Sequence, residues 1–387
     1  MRGPHLRRAA AAAAALTWAL ALAGCWDYTD IDRRGIVLGI GVEFAQGEEP
    51  LLDVTVDIAN PSVIAGGGGG PLTGSAPSQG ALILTQRAGS VAEALHSLQA
   101  RVDRRLALPF VQVVILHEEV ARRALGTFLD FALRDADLRS SVCMMVTPES
   151  PRDLFHFQPT LGPESSVWLT LASENYTIAS TFPRCLTMRL LHSELAERGV
   201  SVTPRVMWGP DNHPILDGAA VLASGGLVGW LDARETQGVL WWRRELVEAI
   251  LTVPCTGDGQ VVFTARQSGR HLALHEELGE PGVTLRLGVR AAVREVSEEC
   301  PLSGKEAAVD DQVLSGLQKA VFDQAWGALE AARRLDADFL EIGLSLRRRY
   351  PRRFREIAQG RVYVPEVVHL PVSIEIDATI AEFGELN

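Results

Sequence analysis

The chain has 387 residues, is 47% hydrophobic and carries a formal net charge of −11. That length allows two or three domains of ~150 residues, each with a real core. The acidic balance argues against nucleic acid, whose phosphates need a basic face, and against adsorption to anionic headgroups through overall surface charge.

The first residues read as an export segment. Arg2, Arg7 and Arg8 form a positive n-region, and Ala9–Ala23 is apolar apart from Thr17. A run of ~15 residues is shorter than the ~20 needed to span a bilayer, which suits a signal h-region. It ends in Leu22-Ala23-Gly24-Cys25. Small residues before a cysteine look like a lipobox, in which the thiol accepts a diacylglycerol and the chain is cut before Cys25. Losing the three arginines takes the mature chain from −11 to −14. Trp26 would then lie at headgroup depth, where Trp is favoured, or would staple the first strand.

Gly35–Phe44 reads as a buried strand, and Leu52–Ile58 alternates apolar and polar residues as a half-buried strand does. Residues 60–80, with Gly66–Gly70 and three prolines, read as a flexible loop. Ala81–Gln86 resumes as a strand. Ser90 opens a helix, with Glu93 placed for a capping box. Val111–Leu116 is a strand, Glu118–Leu133 an amphipathic helix, and Val142–Val146 a buried strand. Helices follow over Glu164–Ser173 and Leu186–Arg198.

A turn-rich stretch, Pro204–Pro214, marks a shift to β-character. Gly218–Ala223 and Leu227–Leu231 form a hairpin about Gly225-Gly226. Thr236–Trp242 reads as a short helix. Leu246–Val253, Val261–Ala265 and Val283–Val296 read as strands. From Glu306 the pattern is helical for ~30 residues. A second helix runs from Asp338 to Arg349 and stops at Pro351, and Val367–Ile376 closes as a strand. There is no internal repeat. The expected fold class is α+β: a multi-domain body of mixed β-sheets with packed helices behind a cleaved lipoprotein signal peptide. The divisions are 1–24 (signal peptide), 25–205 (mixed α/β), 206–305 (β-rich) and 306–387 (helical, with a final strand).

Motifs for chemistry are sparse. His271 and His275 are four apart beside Glu276 and Glu277, but their flanks read as strand or loop and no third ligand is evident. Gly66–Gly70 lacks the Gly-Lys-Ser/Thr end of a phosphate loop. Gly162-Pro163-Glu164-Ser165 is not a nucleophile elbow. No catalytic residue, metal site or cofactor is therefore expected. Cys143, Cys185, Cys255 and Cys300 match no metal spacing. A body of this size needs no staples, which favours separate thiols, although Cys255 and Cys300 both follow expected strands and a bridge between them is conceivable.

Two clusters are candidates for partner binding. Trp241 and Trp242 are adjacent in a short helix, with Trp230 nearby; Trp is enriched at interface hot spots, but core packing is the expectation for at least two of the three, with one of the adjacent pair facing outward. Arg347, Arg348 and Arg349, followed by Arg352 and Arg353, make a basic patch suited to an acidic loop or headgroups, or simply to water.

Several segments, in order, resemble the Ger(x)C family of spore germinant-receptor lipoproteins. They are Gly24-Cys25-Trp26-Asp27 with Ile36–Gly41; Leu216–Val221 with Leu227–Leu231, Glu235-Thr236, Gly238 and Leu240-Trp241; and Ala337-Asp338-Phe339, Ile342-Gly343, Tyr350-Pro351, Ile380 and Gly384. The resemblance spans nearly the whole mature chain, with the Gly66–Gly70 loop and the Ala/Arg-rich composition as departures. It implies a three-domain body, held by lipid on Cys25 to the outer face of the spore inner membrane. It also implies integral-membrane A- and B-type subunits as partners, and a non-catalytic role in a complex that senses a small nutrient and triggers germination. The competing reading is a lipid-anchored solute-binding protein, which the β-rich middle and long terminal helices suit poorly. A lipid-anchored hydrolase has no motif here.

Overall fold

The computed structural model describes residues 33–47, 50–59, 81–160, 164–255, 259–277, 280–302, 310–361 and 363–381. Cys25, Trp26 and the Gly66–Gly70 loop lie outside the described residues. Eleven α-helices and two mixed sheets give an α+β fold.

The first sheet is built around parallel strands. β1 (Arg34–Phe44), β5 (Val113–His117), β6 (Cys143–Thr147) and β7 (Val200–Trp208) lie side by side in parallel. Such strands are covered on both faces, which explains their unbroken apolar runs. β2 (Leu52–Ala59) and β3 (Ala81–Ala88) extend one side antiparallel, and Ala59 and Ala81 face each other. β8 (Pro214–Ala223) and β9 (Gly226–Leu231) extend the other side. A short β4 (Arg105–Ala107) lies parallel to the start of β1. Pro204 sits inside β7 at a register shift, where the ladder can spare its missing N–H. The sheet continues past this shift, with Arg205 paired to Val146 of β6 and Val206 to Leu216 of β8.

Helices α1 (Val91–Leu98), α2 (Glu118–Arg123), α3 (Leu125–Arg134) and α7 (Met188–Arg198) cover one face. The expected single helix over 118–133 is broken at Ala124, whose φ of −133° leaves helical space. In α1, Ser90 accepts from the Glu93 N–H (3.2 Å), but Glu93 reaches back to Gly89 N–H (3.1 Å) rather than to Ser90, so the expected box is displaced by one residue. On the opposite face, α4 (Pro151–His156), α5 (Ser165–Glu174) and the short α6 (Tyr176–Ala179) cover the central strands.

The rest of that face, the inner side of β7, β8 and β9, packs on α8 (Ala233–Arg243). α8 packs in turn on α9 (Asp311–Arg334), which lies across a second sheet. That sheet has the order β10 (Ala249–Pro254), β11 (Gln260–Glu277), β12 (Glu280–Val296), β13 (Val372–Ala381). α10 (Ile342–Arg349) and α11 (Pro351–Ala358) complete it.

Three sequence expectations are corrected here. The strand expected over 261–265 extends to Glu277; the pattern hides this because Arg266-Gln267-Ser268-Gly269-Arg270-His271 carries no apolar alternation. Helix α10 begins at Ile342 rather than Asp338, because Glu341 has a φ of +63°. Its end at Arg349, ahead of Pro351, is as expected; Pro351 then stands at the first position of the further helix α11, where its missing N–H costs nothing. The separate-thiol reading is also overturned: Cys143 is bonded to Cys185 and Cys255 to Cys300, each pair with Cα atoms 5.7 Å apart. Cys143 opens β6 and bridges to Thr187, two residues after Cys185, while Cys255 and Cys300 follow β10 and β12 on either side of β11, so tertiary packing brings together cysteines 42 and 45 residues apart.

Candidate functional site

The two tryptophans lead to the site, though not as the sequence suggests. Trp241 and Trp242 are both fully buried, so neither faces outward. Adjacent helix positions point about 100° apart, and α8 is enclosed widely enough to bury both directions. The Trp241 indole N–H donates to Gln324 Oε1 (2.8 Å) and that of Trp242 to the Ala325 carbonyl (2.8 Å), both on α9. Gly238 permits this approach: a Cβ there would stand 2.1 Å from the Gln324 carbonyl oxygen.

The next residue, Arg243, ends α8 inside the protein with its side chain only 3% exposed. It meets acids from both bodies. Glu194 of α7 is 3.6 Å from Nη2, and Glu341 is 3.4 Å from Nε. Arg198 of α7 bridges the same two acids, 3.1 Å from Glu194 and 2.6 Å from Glu341. Ser201 donates to Glu194 at 2.6 Å. Burial disfavours the Arg243 charge, but Glu245, Glu341 and Glu194 outweigh it, and its pKa is raised above the ordinary arginine value. Arg270 on β11 donates to Ser345 at 3.3 Å; burial lowers its pKa, against the pull of Glu341 and Asp338.

Asp338 completes the cluster. Burial raises its pKa to about 7, although it accepts N–H bonds from Gly343 (2.7 Å) and Ile342 (2.9 Å) that favour its charge. Its own N–H donates to the Tyr363 phenol (3.2 Å), whose pKa burial pushes up to about 12. Tyr363 lies against Gly199, the left-handed cap (φ +72°) that turns α7 into β7; a Cβ there would stand 2.3 Å from the ring. A cavity of about 20 Å³, room for one water, lies between Arg243, Asp338 and Arg347. The assembly is a charged junction: α7 supplies two members from the first sheet's helices, and α8, β11 and the segment before α10 supply the rest.

Of the expected basic patch, Arg347 lines this cavity, Arg349 donates to the Leu272 carbonyl (3.3 Å), and Arg348 and Arg352 are exposed. Arg353 pairs with Glu356 at 2.8 Å. Sequence reasoning missed Glu194, Arg198, Arg243, Asp338 and Glu341. A usable signal was present: Arg243 directly follows a buried aromatic pair, and Asp338 lies between Ala337 and Phe339-Leu340.

A second buried carboxylate pair lies under α5. Asp57 on β2 accepts from the Ser166 hydroxyl (2.5 Å) and N–H (3.2 Å), and burial raises its pKa. Glu164 next to it is pushed to about 7, by burial first and then by Asp57. Asp57 thus receives the first turn of α5, while Ser165 donates to the Leu154 carbonyl. Both hydroxyls are committed to packing contacts. His271 and His275 lie on β11, where residues four apart are ~13 Å apart. His275 bonds to Thr284 instead.

Comparison with known proteins accounts for this architecture. Residues 27–207 match the family model "Spore germination protein N-terminal domain", and residues 217–384 match "Spore germination B3/GerAC like, C-terminal". Spore germination protein KC of Bacillus subtilis (strain 168) is 21% identical, covering 95% of this chain and 94% of its own length. Spore germination protein B3 of the same organism is 24% identical over 68% of each chain. The crystal structure of the GerBC protein superposes with a TM-score of 0.54 at 14% identity, covering 88% of this chain and 96% of that one. With both domain models matched in order along one chain that folds as GerBC does, the protein belongs to the Ger(x)C family of spore germination proteins.

Proposed function

We propose that this chain is the lipid-anchored C-type subunit of a nutrient germinant receptor, held by lipid on Cys25 to the extracytoplasmic face of the spore inner membrane. It acts there with integral-membrane A- and B-type subunits, through protein contact rather than catalysis. The observation that carries the reading is the collinear match of both family domains, from residue 27 to residue 384, directly after the Leu-Ala-Gly-Cys25 sequence. The non-catalytic reading draws on the structural contacts of four acids: Asp57 receives a helix end, Asp338 holds the start of α10, and Glu194 and Glu341 balance arginines. Arg348, Arg349 and Arg352, exposed on adjoining helices, are members of the basic patch open to a partner. The three-domain division (25–205, 206–305, 306–387) belongs to the same proposal.

The mechanism is a change of conformational balance. A partner or nutrient shifts such a balance only by its differential affinity for two states. The charged junction between the two sheets is the element whose geometry such states would alter.

The test is affinity purification of the native protein from spore inner membrane in mild detergent. Co-purification of a multi-spanning transporter-like subunit with a second membrane subunit supports the reading, and Cys25→Ala then releases the protein and impairs nutrient germination. Recovery alone, or with an ATP-driven permease, overturns it in favour of solute binding.

A further inference from the structure

We propose that the end of the first sheet where β1 begins is a headgroup-binding face, which turns that end of the body toward anionic phospholipid. The inference rests on the lipid-anchor reading of Cys25. It adds an orientation and a second set of membrane contacts to it.

The argument starts from the tether. Cys25 is eight residues before Arg33, the first described residue. Eight residues span at most ~29 Å fully extended, so lipid on Cys25 keeps the start of β1 within that distance of the bilayer. Arginines gather at this spot. Arg33 and Arg34 open the described chain, and Arg34 lies directly opposite Arg105 across the parallel β1–β4 pair. The next residue, Gly35, packs close to Arg104: a Cβ on it would meet Arg104 Cβ at 3.7 Å. Arg101 reaches the Thr85 carbonyl on β3 at 2.5 Å. Five arginines thus lie on three adjoining segments. Asp103 lies among them, and Asp27, Asp30 and Asp32 precede Arg33 along the tether, so arginines exceed acids by one, 5 − 4, while none of Arg33, Arg34, Arg104 and Arg105 forms an ion pair with a described residue.

An apolar element lies among these charges. A pocket of about 280 Å³ is walled by Ile58, Ala59, Leu82 and Val102, with Arg104 at its side. Leu82 is 47% exposed there. Cationic side chains around an open apolar pocket suit an interface in which charge meets headgroup phosphates and aliphatic groups meet glycerol and upper acyl carbons.

The overall charge of −11 does not oppose this. Screening limits each charge to ~8–10 Å at physiological ionic strength. Acids on the far side of the body therefore do not feel the bilayer, whereas a face held within reach of it does. Net charge prevents untethered adsorption; local charge sets which way a tethered body faces.

Cys25 is the one cysteine of five outside the two disulfides. The mature chain can therefore be coupled through it to a maleimide lipid, which supplies the tether whether or not the cell lipidates it. Amide exchange is compared on phosphatidylcholine vesicles and on vesicles with 30% phosphatidylglycerol. We expect slowed exchange over 33–36, 81–84 and 101–106 only with phosphatidylglycerol, reversed by 0.5 M NaCl. Each arginine at an anionic surface is worth about fivefold in surface residence. The triple variant Arg33→Glu/Arg104→Glu/Arg105→Glu should therefore lose the protection, while the triple Lys variant keeps it. Equal exchange on both vesicles, or protection on another face, overturns the proposal. So does protection that appears only when membrane subunits are added, which would assign the face to a protein. Native lipidation is read separately, from the mass of the N-terminal peptide, so failure of the anchor and failure of the face are distinguishable.

Discussion

Arg243 offers the sharpest test of the charged junction. Arg243→Met keeps the length of the stem and removes the guanidinium. The side chain is 3% exposed, and its acids Glu194 and Glu341 are each 18% exposed. Removing one partner from a buried ionic cluster costs about 3–5 kcal/mol, because the remaining charge stays desolvated. Here Arg198 still contacts both acids, at 3.1 and 2.6 Å, so the lower end applies, about 3 kcal/mol. At roughly 2–4 °C per kcal/mol for a body of this kind, the melting temperature falls by about 6–12 °C. The assay is thermal unfolding followed by circular dichroism on the mature chain with both disulfides intact. If the loss comes from stranded acids, adding Glu194→Gln and Glu341→Gln to Arg243→Met restores at least half of it. A loss below about 1 kcal/mol for the single variant, or none regained by the triple, refutes the reasoning.

Three further outcomes follow from the same contacts. Burial raises Glu164 and Asp338 to about 7, so the folded chain keeps protons that the unfolded chain releases near pH 4; stability is full below that range and is lost as pH rises through 7. Between pH 5.5 and 8 the loss from Asp338 is about 2 kcal/mol, with a smaller part from the more solvent-screened Glu164, and denaturant titrations across this pH range on Asp338→Asn should show a shallower slope. Gly238→Ala drives a methyl to 2.1 Å from the Gln324 carbonyl and should cost about 3 kcal/mol, whereas Gly225→Ala, with open space around it, should cost under about 1 kcal/mol. Replacing Cys255 and Cys300 by alanine opens a loop of 45 residues and should lower stability by about 4 kcal/mol in the chain-entropy account; an unchanged denaturation midpoint would sink that estimate.

The elements were legible where one physical signal acted alone. β1, β5 and β6 announce themselves as apolar runs because parallel strands are buried on both faces. The hairpin at Gly225-Gly226 is written in turn chemistry. Signals failed where tertiary context decided. The far half of β11 carries Arg266, Arg270 and His271, and nothing local says that Arg270 will be half-buried against Ser345. The two disulfides depend on tertiary packing that joins residues 42 and 45 positions apart, which spacing alone does not encode. Core packing of two tryptophans is legible, but the burial of both adjacent ones is not, because an isolated short helix gives no sign that it will be enclosed between a sheet and a second helix.

The junction also bounds what a signalling change in this subunit can be. Separating α7 from α8 and the segment before α10 exposes Arg243, Glu194 and Glu341 together, so their charges gain water as they lose one another. That exchange is nearly balanced for an ionic cluster and far from balanced for an apolar one of equal size. The apolar contacts of α8 with α9, by contrast, seat Trp241 and Trp242 at full burial with both indole N–H groups satisfied, and opening them is expensive in both respects. Relative motion should therefore concentrate at the charged rim and leave the tryptophan layer closed. A partner stabilising the moved state needs only a few kcal/mol of differential affinity, since ~5.5 kcal/mol carries a two-state balance from 1:99 to 99:1. Arg243→Met should shift that balance along with stability, whereas a tryptophan-layer variant such as Trp241→Phe should lower stability by about 1–3 kcal/mol and leave the balance where it was. Germination rate at saturating nutrient, scored against the amount of folded subunit in the membrane, separates the two. Equal loss per folded molecule in both variants would show that the charged rim has no special part.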